Sequence, residues 1–205
     1  MQNTDTTRVS ATPEEMLHPG SRALFRYWET LRGEMSAPAR DWLDLRKFHK
    51  LVPFAFIIER KSDKTYVWRL AGTQVCELWG MELTGKPAWV QGDNSKHETL
   101  DRHLDRVIDA HQPFVARLRL DFPEDVSVVA ELIGLPLEAR SGAETHVFGV
   151  MMAFRETRRS SHDQVTGVEM TGVRTLWTES AQGARKMPAK IPFQGFQVIN
   201  GGRVG

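Results

Sequence analysis

Apolar and polar positions alternate most cleanly in residues 114–122. Phe114, Ala116, Leu118, Leu120 and Phe122 fall on one side, with Arg117, Arg119 and Asp121 on the other. A period of two predicts a strand covered on one face only. Residues 126–137 and 145–154 are apolar on both faces: Phe148, Val150 and Met152 alternate with Val147, Met151 and Ala153. Such segments are expected near the centre of a sheet, joined here by a turn at Ser141-Gly142-Ala143. Two earlier strands are expected at 53–60 and 65–71, linked by the polar turn Lys61-Ser62-Asp63-Lys64. In the second, Tyr66, Trp68 and Leu70 share a face opposite Val67, Arg69 and Ala71.

The helical period appears three times. In residues 22–32, Ala23, Leu24, Tyr27, Trp28 and Leu31 form one stripe, with Ser21 as the expected N-cap and Gly33 as the stop. This aromatic stripe must lie on something, either its own domain or a partner surface, so Leu24, Tyr27, Trp28 and Leu31 are interaction candidates. Residues 36–49 read as a loop with a short helix around 42–48. Gly72-Thr73 breaks the second strand, and Thr73 is the expected cap of a short helix that presents Val75, Leu78 and Trp79 before Gly80. Residues 87–94 are loop, with Trp89 as the one large anchor. Ser95-Lys96-His97-Glu98 has the form of a capping box. The helix after it runs to about His111, with Leu100, Leu104, Val107, Ile108 and His111 as its stripe and His97 at the edge. Pro113 ends it. The order is β-β-α-α-β-β-β, organised around residues 66–85.

Composition narrows the class. The chain has 205 residues, 40% hydrophobic and 26% charged, enough for one domain of about 100–150 residues with tails. Residues 1–17 read as a disordered leader, 18–155 as the domain, and 156–205 as a linker and tail. From Arg155 onward there are eight basic and four acidic residues, and the last fifteen turn apolar again. That end reads as a docking or strand-adding segment, a fold-back strand or disorder. A net charge of +1 lacks the footprint of a nucleic-acid binder. One cysteine, Cys76, rules out an internal disulfide and suits the cytoplasm. No apolar run approaches the ~20 residues of a membrane helix, and no signal-peptide pattern is present. The remaining ~50 residues are not expected to hold a kinase, cyclase or DNA-binding module.

The segment GTQVCELWGMELTGKP resembles the PAS pattern in which a helix closes on an aromatic-Gly pair followed by Glu-Leu-x-Gly. HPGSRALFRYWETLRGE, RLAGTQVCELWGMELTG, ELIGLPLEA and INGGR are similar to an alphaproteobacterial stand-alone PAS family formerly of unknown function. The resemblance spans roughly residues 18–155. It implies an α+β fold with a five-stranded antiparallel sheet in the order 2-1-5-4-3, helices over one face, and the N-terminal amphipathic helix on the other. It also implies a cytoplasmic sensory or interaction domain, often a homodimer and usually not an enzyme, that acts on a protein partner in trans, with gating by a small ligand in the pocket left open. Carried onto this chain, the family's pocket would be lined by Trp68, Leu70, Val75, Cys76, Trp79, Leu83, Leu104, Ile108 and Leu118.

Specific chemistries find little support in the residues. A flavin photoreceptor of this class needs a reactive cysteine in an Asn-Cys-Arg-Phe type of motif, whereas Cys76 precedes Glu77-Leu78-Trp79 and reads as a small buried hydrophobe. A haem-binding sensor would take an axial histidine from the long helix, His111 or His97. No histidine pair has zinc-ligand spacing. A small-pocket enzyme would draw on Glu131, His111 and Asp121, although Asp121 alternates onto the polar face and Glu131 reads equally as a solvent-facing residue or a partner of Arg117 or Arg119.

Overall fold

A computed structural model describes residues 16–89, 94–138, 146–154 and 163–176, with side chains left out at 94–97. Helix α1 (Pro19–Arg32) comes first, followed by 3-10 turns at Arg40–Trp42 and Leu45–Phe54. Strands β1 (Ala55–Arg60) and β2 (Tyr66–Ala71) form a hairpin, and α2 (Thr73–Trp79) and α3 (Asn94–Ala110) follow. Then come β3 (Phe114–Asp121), β4 (Ser127–Pro136), β5 (His146–Ala153) and β6 (Gly167–Thr175). The sheet is antiparallel throughout, in the order β2-β1-β5-β4-β3-β6. The first five positions match the expected order, and the two doubly apolar strands, β4 and β5, occupy the middle.

Two hydrophobic clusters lie on opposite faces. The inner face joins Phe56, Ile58 and Trp68 to Val75 and Trp79 of α2, Leu104 and Ile108 of α3, and Leu118 and Leu132 of the sheet. The outer face joins Leu24, Phe25, Tyr27 and Trp28 of α1 and Phe48 to Ile133, Leu135, Phe148, Val150 and Met152. Alternation along each strand assigns its residues to one cluster or the other. At the close approach of α1 to β5, a Cβ on Gly20 would meet the Met152 methyl, which would have to swing aside.

Several boundaries differ from expectation, each for a local reason. The N-cap of α1 is His18, whose Nδ1 accepts from the Gly20 N–H at 3.0 Å, while Ser21 lies inside the helix with its hydroxyl buried. Pro19 at the first helical position is pre-set for helix and needs no N–H bond there. The first strand begins at Ala55 because residues through Phe54, Pro53 included, are still in the 3-10 turn. Gly72, not Thr73, caps α2, and the carbonyls of Val52 and Pro53 lie too close for any side chain there. Helix α3 starts at Asn94, so Ser95 is already inside it; the side chains of the expected capping box lie outside the described residues. His111 has left the helix, with a left-handed φ of 52°.

One element lies past Phe154, where the apolar pattern stops. Strand β6 pairs with β3 from Asp121↔Gly167 to Phe114↔Thr175, with a register shift between Arg117 and Leu118. Only Val168, Met170 and Val173 of β6 join the inner cluster. Its outward charges and its bulge are the devices that keep an edge strand from pairing indiscriminately. The turn at Ser141-Gly142-Ala143, the leader before residue 16 and the apolar end at 191–205 lie outside the described residues.

Candidate functional site

Trp68 is fully buried in the inner cluster. It sits on the edge strand β2, opposite Ile58 of β1. The free side of β2 is covered by the chain returning after α2. Gly85 donates its N–H to the Trp68 carbonyl at 2.7 Å, Trp68 donates to the Lys86 carbonyl at 2.9 Å, and Ala88 donates to the Tyr66 carbonyl at 2.8 Å. Gly85 has a φ of 81°, a left-handed value that glycine adopts without strain. The chain after the Glu-Leu-Thr-Gly turn thus folds back along β2, with an isolated bridge between Val67 and Pro87, and it seats Leu83 and Trp89 over the cluster.

Three aromatic rings meet the Trp68 indole edge-on: Phe56 at 5.6 Å, Trp79 at 5.7 Å and Trp89 at 6.4 Å between centroids. Such T-shaped contacts set the positive edge of one ring against the negative face of another. Two of the three indole donors are paired. Trp79 Nε1 donates to Met151 Sδ at 3.4 Å, and Trp89 Nε1 donates to Asp101 Oδ1 at 2.7 Å. Trp68 Nε1 is buried and has no partner among the described residues. A buried donor of this kind usually finds an acceptor, because leaving it dry costs about 1–3 kcal/mol.

A polar clamp closes the rim above. Arg60 of β1 donates to Asp105 Oδ1 at 2.6 Å and to both carboxylate oxygens of Asp109 at 2.6 and 2.8 Å. Tyr66 donates its hydroxyl to the same Asp105 oxygen at 2.6 Å. Burial, reinforced by this carboxylate, raises the Tyr66 phenol well above its usual pKa. Asp101, Asp105 and Asp109 follow at intervals of four and so share one side of α3. That side is tied to the hairpin and to Trp89.

The residues expected to line a pocket divide. Trp68, Val75, Trp79, Leu83, Leu104, Ile108 and Leu118 are all buried in the inner cluster. Cys76 is half-buried at its margin, its Sγ 3.9 Å from the Ala71 carbonyl and 3.8 Å from Glu82, and burial pushes its thiol pKa up. Leu70 is not on this face: it is 45% exposed. The register runs Ile58↔Trp68 and then Ile57↔Leu70, so Arg69 is an extra residue in β2 and the alternation flips beyond it. Phe56 and Met151 belong to the site as well. For Phe56, the alternation with Ile58 along β1 was the available signal.

The interaction candidates Leu24, Tyr27 and Trp28 are buried against the sheet of their own chain, and Leu31 is half-buried beside them. Trp28 Nε1 donates to the Pro136 carbonyl at 2.8 Å, and the Asp44 amide donates to the Tyr27 hydroxyl at 2.8 Å.

Glu131, His111 and Asp121 are not brought together. Glu131 is 2% exposed and points neither to solvent nor to an arginine. Its two oxygens accept the main-chain N–H groups of Leu17 and His18 at 2.8 and 2.9 Å, at the entry to α1. Arg117, directly across the ladder from it, lies over the Phe154 ring instead. Asp121 pairs with Arg119 at 3.1 Å. His111 belongs to the turn after α3, on the opposite side of the sheet from Glu131. The His97 side chain lies outside the described residues. The His103 ring lies tilted against Phe114 at 5.4 Å between centroids, and burial, with Arg106 and Arg102 nearby, lowers its pKa. Among the described residues no group of three or more His, Cys, Asp or Glu could hold a metal ion, and no helix is long and apolar enough to cross a membrane.

The sheet order, the helices over one face and the glycine-closed turn after α2 agree with a family model described as PAS domain, which matches residues 16–152. The chain belongs to the PAS family. PAS domains form a sensory family, and the α+β architecture here is theirs, with β6 added at one edge. Among solved structures, this PAS domain is similar to RsLOV D109G at 17% sequence identity, over 58% of this chain and 74% of that one, with a TM-score of 0.38. No curated protein matches it.

Proposed function

We propose that this PAS domain is a sensor that reads a small molecule at Trp68 and reports the change to a separate protein partner. The unpaired Trp68 Nε1–H carries the reading. It is a buried hydrogen-bond donor ringed by Phe56, Trp79 and Trp89, so an acceptor atom on an otherwise apolar ligand would complete it. Two routes lead away from it. Through Trp89 and Asp101, a moved indole pulls on α3 and its clamp to Arg60 and Tyr66. Through Phe56, it presses on β5 at Gly149, where a Cβ would overlap both the Phe56 ring and the Ile133 carbonyl. The other side of β5 carries Phe148, Val150 and Met152 beneath α1. Interiors packed this closely transmit displacement rather than absorb it.

Native mass spectrometry of freshly purified protein, repeated under denaturing conditions, tests the reading. A stoichiometric excess mass that disappears on denaturation, and that Trp68→Phe loses, supports it. A clean protein mass for the wild type, as monomer or dimer, would contradict ligand sensing and leave an interaction module that works without a ligand.

A further inference from the structure

We propose that His18 and Glu131 form a proton-operated latch that holds α1 on the outer face of the sheet. Side chains tie five main-chain polar groups at the entry to α1. Glu131 takes the N–H groups of Leu17 and His18. Arg22 gives its Nη1 to the carbonyls of Met16 and Leu17 at 2.7 and 2.8 Å. His18 Nδ1 takes the N–H of Gly20. The bond to Gly20 requires Nδ1 to be bare, so it exists only in the neutral imidazole. A proton placed there would face the Gly20 N–H and set a cation against the positive end of the helix dipole.

The surroundings decide the direction of the switch. The Glu131 carboxylate from β4, the Arg22 guanidinium from α1 and the Phe154 ring after β5, at 6.0 Å, face the imidazole; the Arg117 guanidinium of β3 lies over that same ring. Burial is the largest influence and lowers the His18 pKa; Glu131 works against it and Arg22 with it. A histidine whose pKa is lower folded than unfolded favours the folded state when neutral. The hold on α1 is therefore complete above the ordinary imidazole value of about 6.5 and is lost as pH falls below it toward the folded value. Release would uncover the apolar face that Leu24 and Trp28 now cover. The latch stands on the outer face and does not depend on a ligand at Trp68.

Hydrogen–deuterium exchange of the full chain at pH 7.5 and 5.5, corrected for intrinsic exchange chemistry, tests it. Peptides from residues 19–32 should exchange roughly fivefold faster at the lower pH, the weight of one helix cap, while β4 stays protected. In His18→Asn, which caps without titrating, that pH dependence should vanish. Equal protection of α1 at both pH values, an equal loss in β4, or an unchanged pH response in His18→Asn would each overturn the latch.

Discussion

The two faces of the sheet carry similar aromatic loads but finish them differently. On the outer face the polar tips of the large aromatics are used: Trp28 donates to Pro136, and Tyr27 accepts from Asp44. The unpaired group there is the small Ser21 hydroxyl. On the inner face three tryptophans crowd together, two of them paired, and the most deeply buried, Trp68, has no partner for its donor among the described residues. The outer face uses the polar groups of its large aromatics within the protein. The inner face leaves one buried indole N–H without a partner among the described residues, the feature on which the proposed ligand reading rests.

The largest effect comes from breaking the outer face. Trp28→Ala removes a fully buried indole and strips the Pro136 carbonyl of its donor. The loss should be about 3–5 kcal/mol, read from urea unfolding. A loss below about 1 kcal/mol would mean that α1 is not part of the folded core. The smallest effect marks the border of the inner face. Leu70→Ser should change stability by less than about 0.5 kcal/mol, as expected for an exposed position outside the core. A cost near that of a core leucine would place Leu70 on the inner face after all.

Much of this arrangement was legible in the sequence. The strict alternation of β3 and the doubly apolar β4 and β5 announce their places in the sheet, and the Gly80 and Gly85 turns mark where α2 ends and the chain returns. What escaped reading shares one cause: a single local irregularity changes which way side chains point. Arg69 as an extra residue sends Leu70 outward. Left-handed His111 takes that histidine off the stripe of α3. The charged strand β6 adds only a few apolar residues to the core and so has almost no apolar signature. Glu131 lies between apolar neighbours on a central strand, where alternation alone cannot say that two main-chain N–H groups of a segment more than a hundred residues earlier will satisfy it.

The most direct test applies one chemical change to both faces. Trp28→Phe and Trp68→Phe each remove an indole N–H and a similar volume, and unfolding of the ligand-free proteins in urea gives the cost of each. Both should lose the cavity contribution. Trp28→Phe should lose about 1–3 kcal/mol more, because it leaves the Pro136 carbonyl buried without its donor. Equal losses would contradict the account, since they would mean that the Trp68 donor is already satisfied within the protein and holds nothing in reserve.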